Sequence, residues 1–295
     1  MKNGVRAMLS GVFAAAALAA VAVEEGPVRI LMIGNSFSTR MAAKLPPVIE
    51  SMGRKIEISS LFIGGCSLKR HWENVEKASD PAFKPYRLTA YRSGKMAPEA
   101  KANIPDALKS GKWDIVTIQQ SSAESWRPET YEPYTTKLIA KIRELAPQAK
   151  IVLQETWSYS KWDGRLKRWG FDQNAMYEKL HAAYGKIAKE HGLEVIPTGT
   201  AVQLFRKSLP VKYGERSNGG DVCGEDRFVQ GKDGKWHHKG DSPHMNYRGD
   251  YLQSLVWAAK LFNLDVRNCT FAPKNIDVKD AALMREVAMN AVKGE

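Results

Sequence analysis

The sequence predicts a three-layer α/β/α sandwich around a five-stranded parallel sheet, in a single domain spanning residues 23–295. Three observations predict it. Short apolar runs rich in Val, Ile and Leu end at Gly, Pro or polar residues, as strands covered on both faces do. Between them lie stretches with apolar residues at helical spacing. The alternation continues along the chain, which is the signature of a doubly wound α/β domain.

The first element is not part of that domain. Lys2 and Arg6 precede an almost wholly apolar stretch from Ala7 to Val23. Ala20-Val21-Ala22 then gives the small-x-small pattern read by signal peptidase, followed by polar Glu24-Glu25-Gly26-Pro27. Residues 1–22 are expected to be a cleaved signal peptide, giving a secreted or periplasmic protein with no stable membrane insertion after cleavage. The rival reading is an uncleaved N-terminal anchor, because the run nearly reaches bilayer length.

The strands follow in order: Val28 to Ile33, Ile56 to Ile63, Asp114 to Ile118, Ile151 to Leu153, and Leu193 to Ile196, which Pro197 stops. Helical stripes run through Leu138, Ile142 and Leu145, through Met176, Leu180, Ala183 and Ile187, and through Tyr251, Leu255, Ala258 and Phe262. Asp80 to Ala100 reads as a hairpin or an excursion over the active face, and Tyr213 to Gly240 as a loop or small ribbon insertion.

Composition narrows the partners. The net charge is +12, of which Lys2 and Arg6 belong to the leader. This surplus favours anionic surroundings, but no basic arm, zinc-finger spacing or helix-turn-helix pattern supports a nucleic-acid partner. Cys66, Cys223 and Cys269 allow at most one disulfide, Cys223–Cys269 being conceivable. His237-His238 lack the companions a metal site needs, so no metal is expected.

In a parallel sheet of this kind, chemistry sits at the carboxyl ends of the strands. Ser36 stands there, in Gly34-Asn35-Ser36-Phe37-Ser38, where a strand-to-helix turn exposes a hydroxyl beside free amides. It is either a nucleophile or a helix cap, with Ser38 a rival for the cap. Asp241-Ser242-Pro243-His244 lies shortly before what reads as the last long helix, and an Asp three residues before a His can hold Nδ1–H and leave Nε2 as base. The alternative is an exposed polar loop. Gly65, after the second strand, offers a backbone N–H to an oxyanion, or simply a tight turn. Gln119 and Gln120, after the third, offer side-chain amides. Trp126 and Trp157 also follow strands and suit stacking on a sugar, or packing in the core.

Taken in order, these blocks resemble the SGNH (GDSL-like) hydrolase superfamily over essentially the whole mature chain. Gly34-Asn35-Ser36 stands where that family has Gly-Asp-Ser, Gly65 matches its glycine, and Asp241 and His244 match its D-x-x-H. The usual G-x-N-D is replaced by Ile118-Gln119-Gln120-Ser121-Ser122. The likeness is to a variant subgroup carrying IGNSFS, GGCSL, W-D-x-V-x-x-Q and D-x-x-H together. It implies a cofactor-independent serine esterase with a Ser36–His244–Asp241 triad, and an oxyanion hole from Ser36, Gly65 and Gln119. The expected substrate is an ester, foremost an O-acetyl group on carbohydrate, with Gln120, Trp126 and Trp157 as weaker substrate contacts. Two alternatives accompany it: a lipase or thioesterase on the same triad, and a catalytically silent envelope protein that binds glycans.

Overall fold

The computed structural model describes residues 26–209, 220–224, 228–234, 236–238 and 243–294. The leader expected at 1–22 and Asp241 lie outside the described residues. Five parallel strands form the centre: β1 (Val28–Gly34), β2 (Ile56–Phe62), β6 (Ile115–Ile118), β7 (Lys150–Gln154) and β8 (Glu194–Ile196). They lie side by side in the order β2-β1-β6-β7-β8. Their side chains are apolar on both faces, and Ile30, Leu31, Met32, Val116, Val152 and Ile196 are all at 0 % exposure. Burial of this kind, at about 25 cal/mol per Å² of apolar surface, is what holds such a sheet between two helical layers.

The sheet is wider than the five strands expected. Beyond β2 it continues with antiparallel β3 (Tyr86–Arg92), which pairs with β4 (Lys95–Met96) and β5 (Ala100–Ala102). The segment read as a hairpin or an excursion is thus a hairpin edge that enlarges the sheet to eight strands. The half-buried alternation of Tyr86–Arg92 suits such an edge, since one face meets the core and the other water. In the later insertion, β9 (Phe228–Gln230) and β10 (Trp236–His238) form the separate ribbon that was one of its two readings.

Helices α1 (Met41–Ser51), α7 (Thr198–Ser208), α8 (Tyr247–Phe262) and α9 (Val278–Lys293) pack on one another, as do α2 (Leu68–Lys77), α3 (Ile104–Lys109) and α4 (Tyr134–Leu145). The long α6 (Gln173–His191) packs on α7 and is capped by Asp172, whose side chain accepts from Ala175 N–H. Helix α8 is buried almost all round, which is why its sequence is apolar beyond a single stripe. The cysteines are all free and buried, so the conceivable Cys223–Cys269 bridge does not form. No helix among the described residues is long and apolar enough to cross a membrane.

Candidate active site

At the carboxyl edge of the sheet, the chain leaves β1 through Asn35 into a turn that places Ser36 half-buried at the surface. Opposite it lies His244, whose Nε2 is 2.7 Å from Ser36 Oγ. These residues are 208 positions apart in sequence, and the contact depends on how the His244 segment is held. His244 O accepts from Gly224 N–H, Asn246 N–H donates to Val222 O, and Cys223 bridges to Met245. Asn246 caps α8, accepting from Arg248 and Gly249 N–H, while its own amide donates to Asp221 O and Gly224 O. Arg40 reaches across to Met245 O at 3.1 Å and forms a 2.5 Å ion pair with Asp250. Burial lifts the Asp250 carboxyl to about 6, while Arg40 and Lys44 oppose the rise.

Trp157 secures the same segment from beneath. Its Nε1 donates to Pro243 O at 2.8 Å, and its ring stacks on Phe37 at 4.0 Å between centroids. Phe37 in turn meets the His244 ring edge-on at 5.5 Å. Trp157 is only 2 % exposed, so its indole has no free face for a sugar. Trp126 packs against Trp169 and Phe171 and lies under Arg127. Trp157 is therefore a packing residue that supports the His segment, while Trp126 is half-buried in its aromatic cluster.

The amides are placed just as specifically. Gly65 adopts φ +60°, a left-handed conformation that favours glycine, and is exposed beside the turn after β2. Among the described residues, neither Ser36 N–H nor Gly65 N–H has a hydrogen-bond partner. Gln119 is 1 % exposed, and its Nε2 donates to Asn35 Oδ1 at 2.7 Å. The amide expected on an oxyanion thus lies on the neighbour of Ser36 instead. Gln120 is fully buried: its Oε1 accepts from Leu68 and Ser121 N–H, and its Nε2 donates to Thr130. That set of bonds joins the end of β6 to the start of α2 and leaves nothing to offer a substrate. Ser38, the rival for the cap, is 2 % exposed with its hydroxyl 3.5 Å from Asn35 O.

Below the Gly65 turn, Cys66, His71 and Tyr86 form a buried cluster. His71 Nδ1 is 2.9 Å from Tyr86 Oη and 3.5 Å from Cys66 Sγ. Burial pushes the Cys66 thiol up to about 12, which makes it inert at neutral pH. Burial, with Arg70 nearby, pulls His71 down to about 3 from its ordinary 6.5. The unfolded chain therefore takes up a proton below about pH 6.5 while the folded His71 does not. Stability from this group is complete above the ordinary value and is lost as the pH falls, by about 1.4 kcal/mol per pH unit. Denaturant unfolding between pH 7 and pH 5 should show a shallower acid loss in His71→Gln than in the wild type. Parallel slopes would remove His71 from the acid sensitivity.

A cavity of about 460 Å³ opens over Ser36 and His244, lined also by Thr39, Arg40, Phe62, Gly224, Met245 and Asn246. Two larger hollows, of about 550 and 610 Å³, lie along residues 161–174 and at the opposite edge near Pro27 and Arg54. Neither is lined by a nucleophile beside a base, so chemistry rather than size selects the smaller one.

A family model described as a domain of unknown function, DUF4886, matches residues 29–217. The chain belongs to the DUF4886 family. A crystal structure of a DUF4886 family protein from Bacteroides uniformis is 28 % identical, with a TM-score of 0.74 over 91 % of this chain and 95 % of that one. A protein from Slackia heliotrinireducens described as an SGNH hydrolase is 19 % identical, with a TM-score of 0.52 over 80 % of this chain and 100 % of that one. At that identity the likeness concerns the fold, and this DUF4886 chain shares its α/β architecture. No curated protein matches the chain.

Proposed function

We propose that this DUF4886 protein is an exported serine esterase. The observation that carries the reading is the 2.7 Å contact between Ser36 Oγ and His244 Nε2 at the carboxyl edge of a parallel sheet. Ser36 attacks the ester carbonyl as His244 takes its proton, and the acyl group is bound to Oγ as the alcohol leaves with that proton. Water, activated by the same imidazole, then releases the acid. The unpartnered N–H groups of Ser36 and Gly65 hold the oxyanion of both tetrahedral intermediates. Asp241 is assigned to His244 Nδ1 from its place in the D-x-x-H sequence.

The cavity lining favours a small acyl group on a polar alcohol. Polar Ser36, Thr39, Arg40, His244 and Asn246 lie beside apolar Phe62 and Met245, so the lining can meet both an acyl group and a polar alcohol. An O-acetyl group on carbohydrate fits this lining and the export expected from the leader, and the bond chemistry needs no metal or cofactor. The test is a panel of acetylated sugars and p-nitrophenyl esters of increasing acyl length, with a fluorophosphonate to label the nucleophile. Acetyl esters should be hydrolysed fastest and Ser36 labelled. A panel left untouched, with no labelling, would refute the esterase.

The support given by Trp157 makes a smaller prediction. Trp157→Phe keeps an aromatic ring against Phe37 and removes the bond to Pro243 O. One neutral hydrogen bond is worth about 1 kcal/mol, so kcat should fall about fivefold with KM little changed. A rise in KM at constant kcat would instead make the indole a substrate contact.

A further inference from the structure

The residue before the nucleophile has more partners than a turn requires. Asn35 is 1 % exposed, and its side chain joins three strand ends. Oδ1 accepts from Phe37 N–H at 3.1 Å and from Gln119 Nε2 at 2.7 Å. Nδ2 donates to Cys66 O at 3.0 Å and, at 3.4 Å, to Gln120 O. The orientation of this amide follows from its neighbours. Phe37 N–H is a backbone donor, so Oδ1 must face it, and Nδ2 must then face the two carbonyls. The same constraint places Gln119 with its nitrogen towards Asn35.

That orientation has a cost. Gln119 Oε1 is left buried with no partner, beside Gly34. A buried orphan acceptor typically costs about 1–3 kcal/mol. A Cβ at Gly34 would come within 2.3 Å of Ser38 Oγ, so that hydroxyl would have to turn away. Cys66, whose carbonyl Asn35 holds, directly follows Gly65, and Phe37, whose N–H it accepts, directly follows Ser36. The spacing between the two free N–H groups is therefore set through one side chain.

We propose that Asn35 and Gln119 are positioning residues that set the oxyanion hole, with Asn35 spacing the Ser36 and Gly65 N–H groups and Gln119 fixing the orientation of the Asn35 amide. This rests on the esterase reading. It also gives a reason for Asn rather than Asp at position 35. An aspartate accepts but does not donate, so its second oxygen would face the carbonyls of Cys66 and Gln120. Displacing a catalytic group by about 1 Å costs on the order of 10² in rate.

The experiment compares Asn35→Asp and Gln119→Ala with the wild type, using p-nitrophenyl acetate, fluorophosphonate labelling of Ser36 and thermal unfolding. Asn35→Asp should lower kcat about 10²-fold at pH 8, with KM changed less than about threefold. Gln119→Ala, which removes one bond and an orphan oxygen, should fold even if Asn35→Asp does not, and lower kcat about tenfold at unchanged KM. Protonation of the carboxylate introduced by Asn35→Asp restores a donor, so the ratio of that variant's kcat to the wild-type kcat should rise as the pH falls. A purely structural role would tie that rise to a parallel rise in the variant's melting temperature, and loss of activity that tracks the melting temperature would overturn the proposal. So would kcat within twofold of wild type in both variants. If the wild type itself neither hydrolyses the ester nor takes the label, the esterase reading falls and this proposal with it; an active wild type with unaffected variants removes this proposal alone.

Discussion

Ser36→Ala is expected to lower kcat for p-nitrophenyl acetate by roughly 10⁴–10⁶-fold and to abolish fluorophosphonate labelling. The hydroxyl is the atom 2.7 Å from His244 Nε2. Ser38 is buried with its hydroxyl directed to Asn35 O, and the Cys66 thiol is held protonated beneath the turn. The activity that remains should come from the free amides alone, which still stabilise an oxyanion formed by water. Groups that act as a unit are strongly non-additive, so His244→Ala should cost a similar factor and the double variant little more. Melting temperatures should barely move, because Ser36 is half-buried and contributes no packing that Ala would lose. Residual activity within tenfold of wild type, in protein shown free of contaminating esterase, would transfer the nucleophile to another residue.

The parts of this site that could be read from sequence are those set by local rules. Ser36 and Gly65 follow strands whose apolar runs end abruptly at glycine or asparagine, and the carboxyl-edge rule then directs attention to them. His244 stood out through its spacing from Asp241. The five central strands were legible for the same reason, since burial on both faces leaves an unbroken apolar run. Tyr86–Arg92 was harder because a half-buried edge strand interleaves Arg and Thr with its core residues, and the surrounding Lys and Pro obscure the alternation. Its signal was the buried pair Tyr86 and Ala90 at even spacing.

What sequence could not supply was the direction of side chains across long separations. Gln119 is 84 residues from Asn35, and only the packing of β6 beside β1 brings their amides together. The same holds for Trp157, whose indole is 86 residues from the carbonyl it holds. A tryptophan after a strand is equally compatible with a ligand platform and with a wedge under a loop. Burial decides between them, and burial is a property of the fold.

Arg206 was not singled out by any motif, yet it carries the second large expectation. It lies in α7 at 8 % exposure, and its Nε is 3.1 and 3.2 Å from the two carboxylate oxygens of Asp221, itself fully buried. Its other nitrogens donate to Ser158 Oγ and Ser158 O. Asp221 in turn accepts from Cys223 N–H and, through its carbonyl, from the Asn246 amide. The pair therefore anchors residues 221–224, the segment that bonds to His244 O and caps the approach to α8. Removing one partner of a buried pair leaves a desolvated charge and costs about 3–5 kcal/mol, more than the pair adds over an apolar replacement of both. Arg206→Met should accordingly lower the melting temperature by roughly 10 °C, using about 2–4 °C per kcal/mol for a domain of this size. Adding Asp221→Asn removes a buried carboxylate that has lost its guanidinium but keeps an acceptor for Cys223 N–H, so the double variant should recover more than half of the loss. Its kcat should remain below wild type, because the guanidinium no longer fixes the segment that holds His244. A single variant melting within about 2 °C of wild type, less than 1 kcal/mol by the same conversion, would show that the charge at Asp221 is neutralised or solvated by other means. A double variant no more stable than the single would locate the loss in the Ser158 bonds instead.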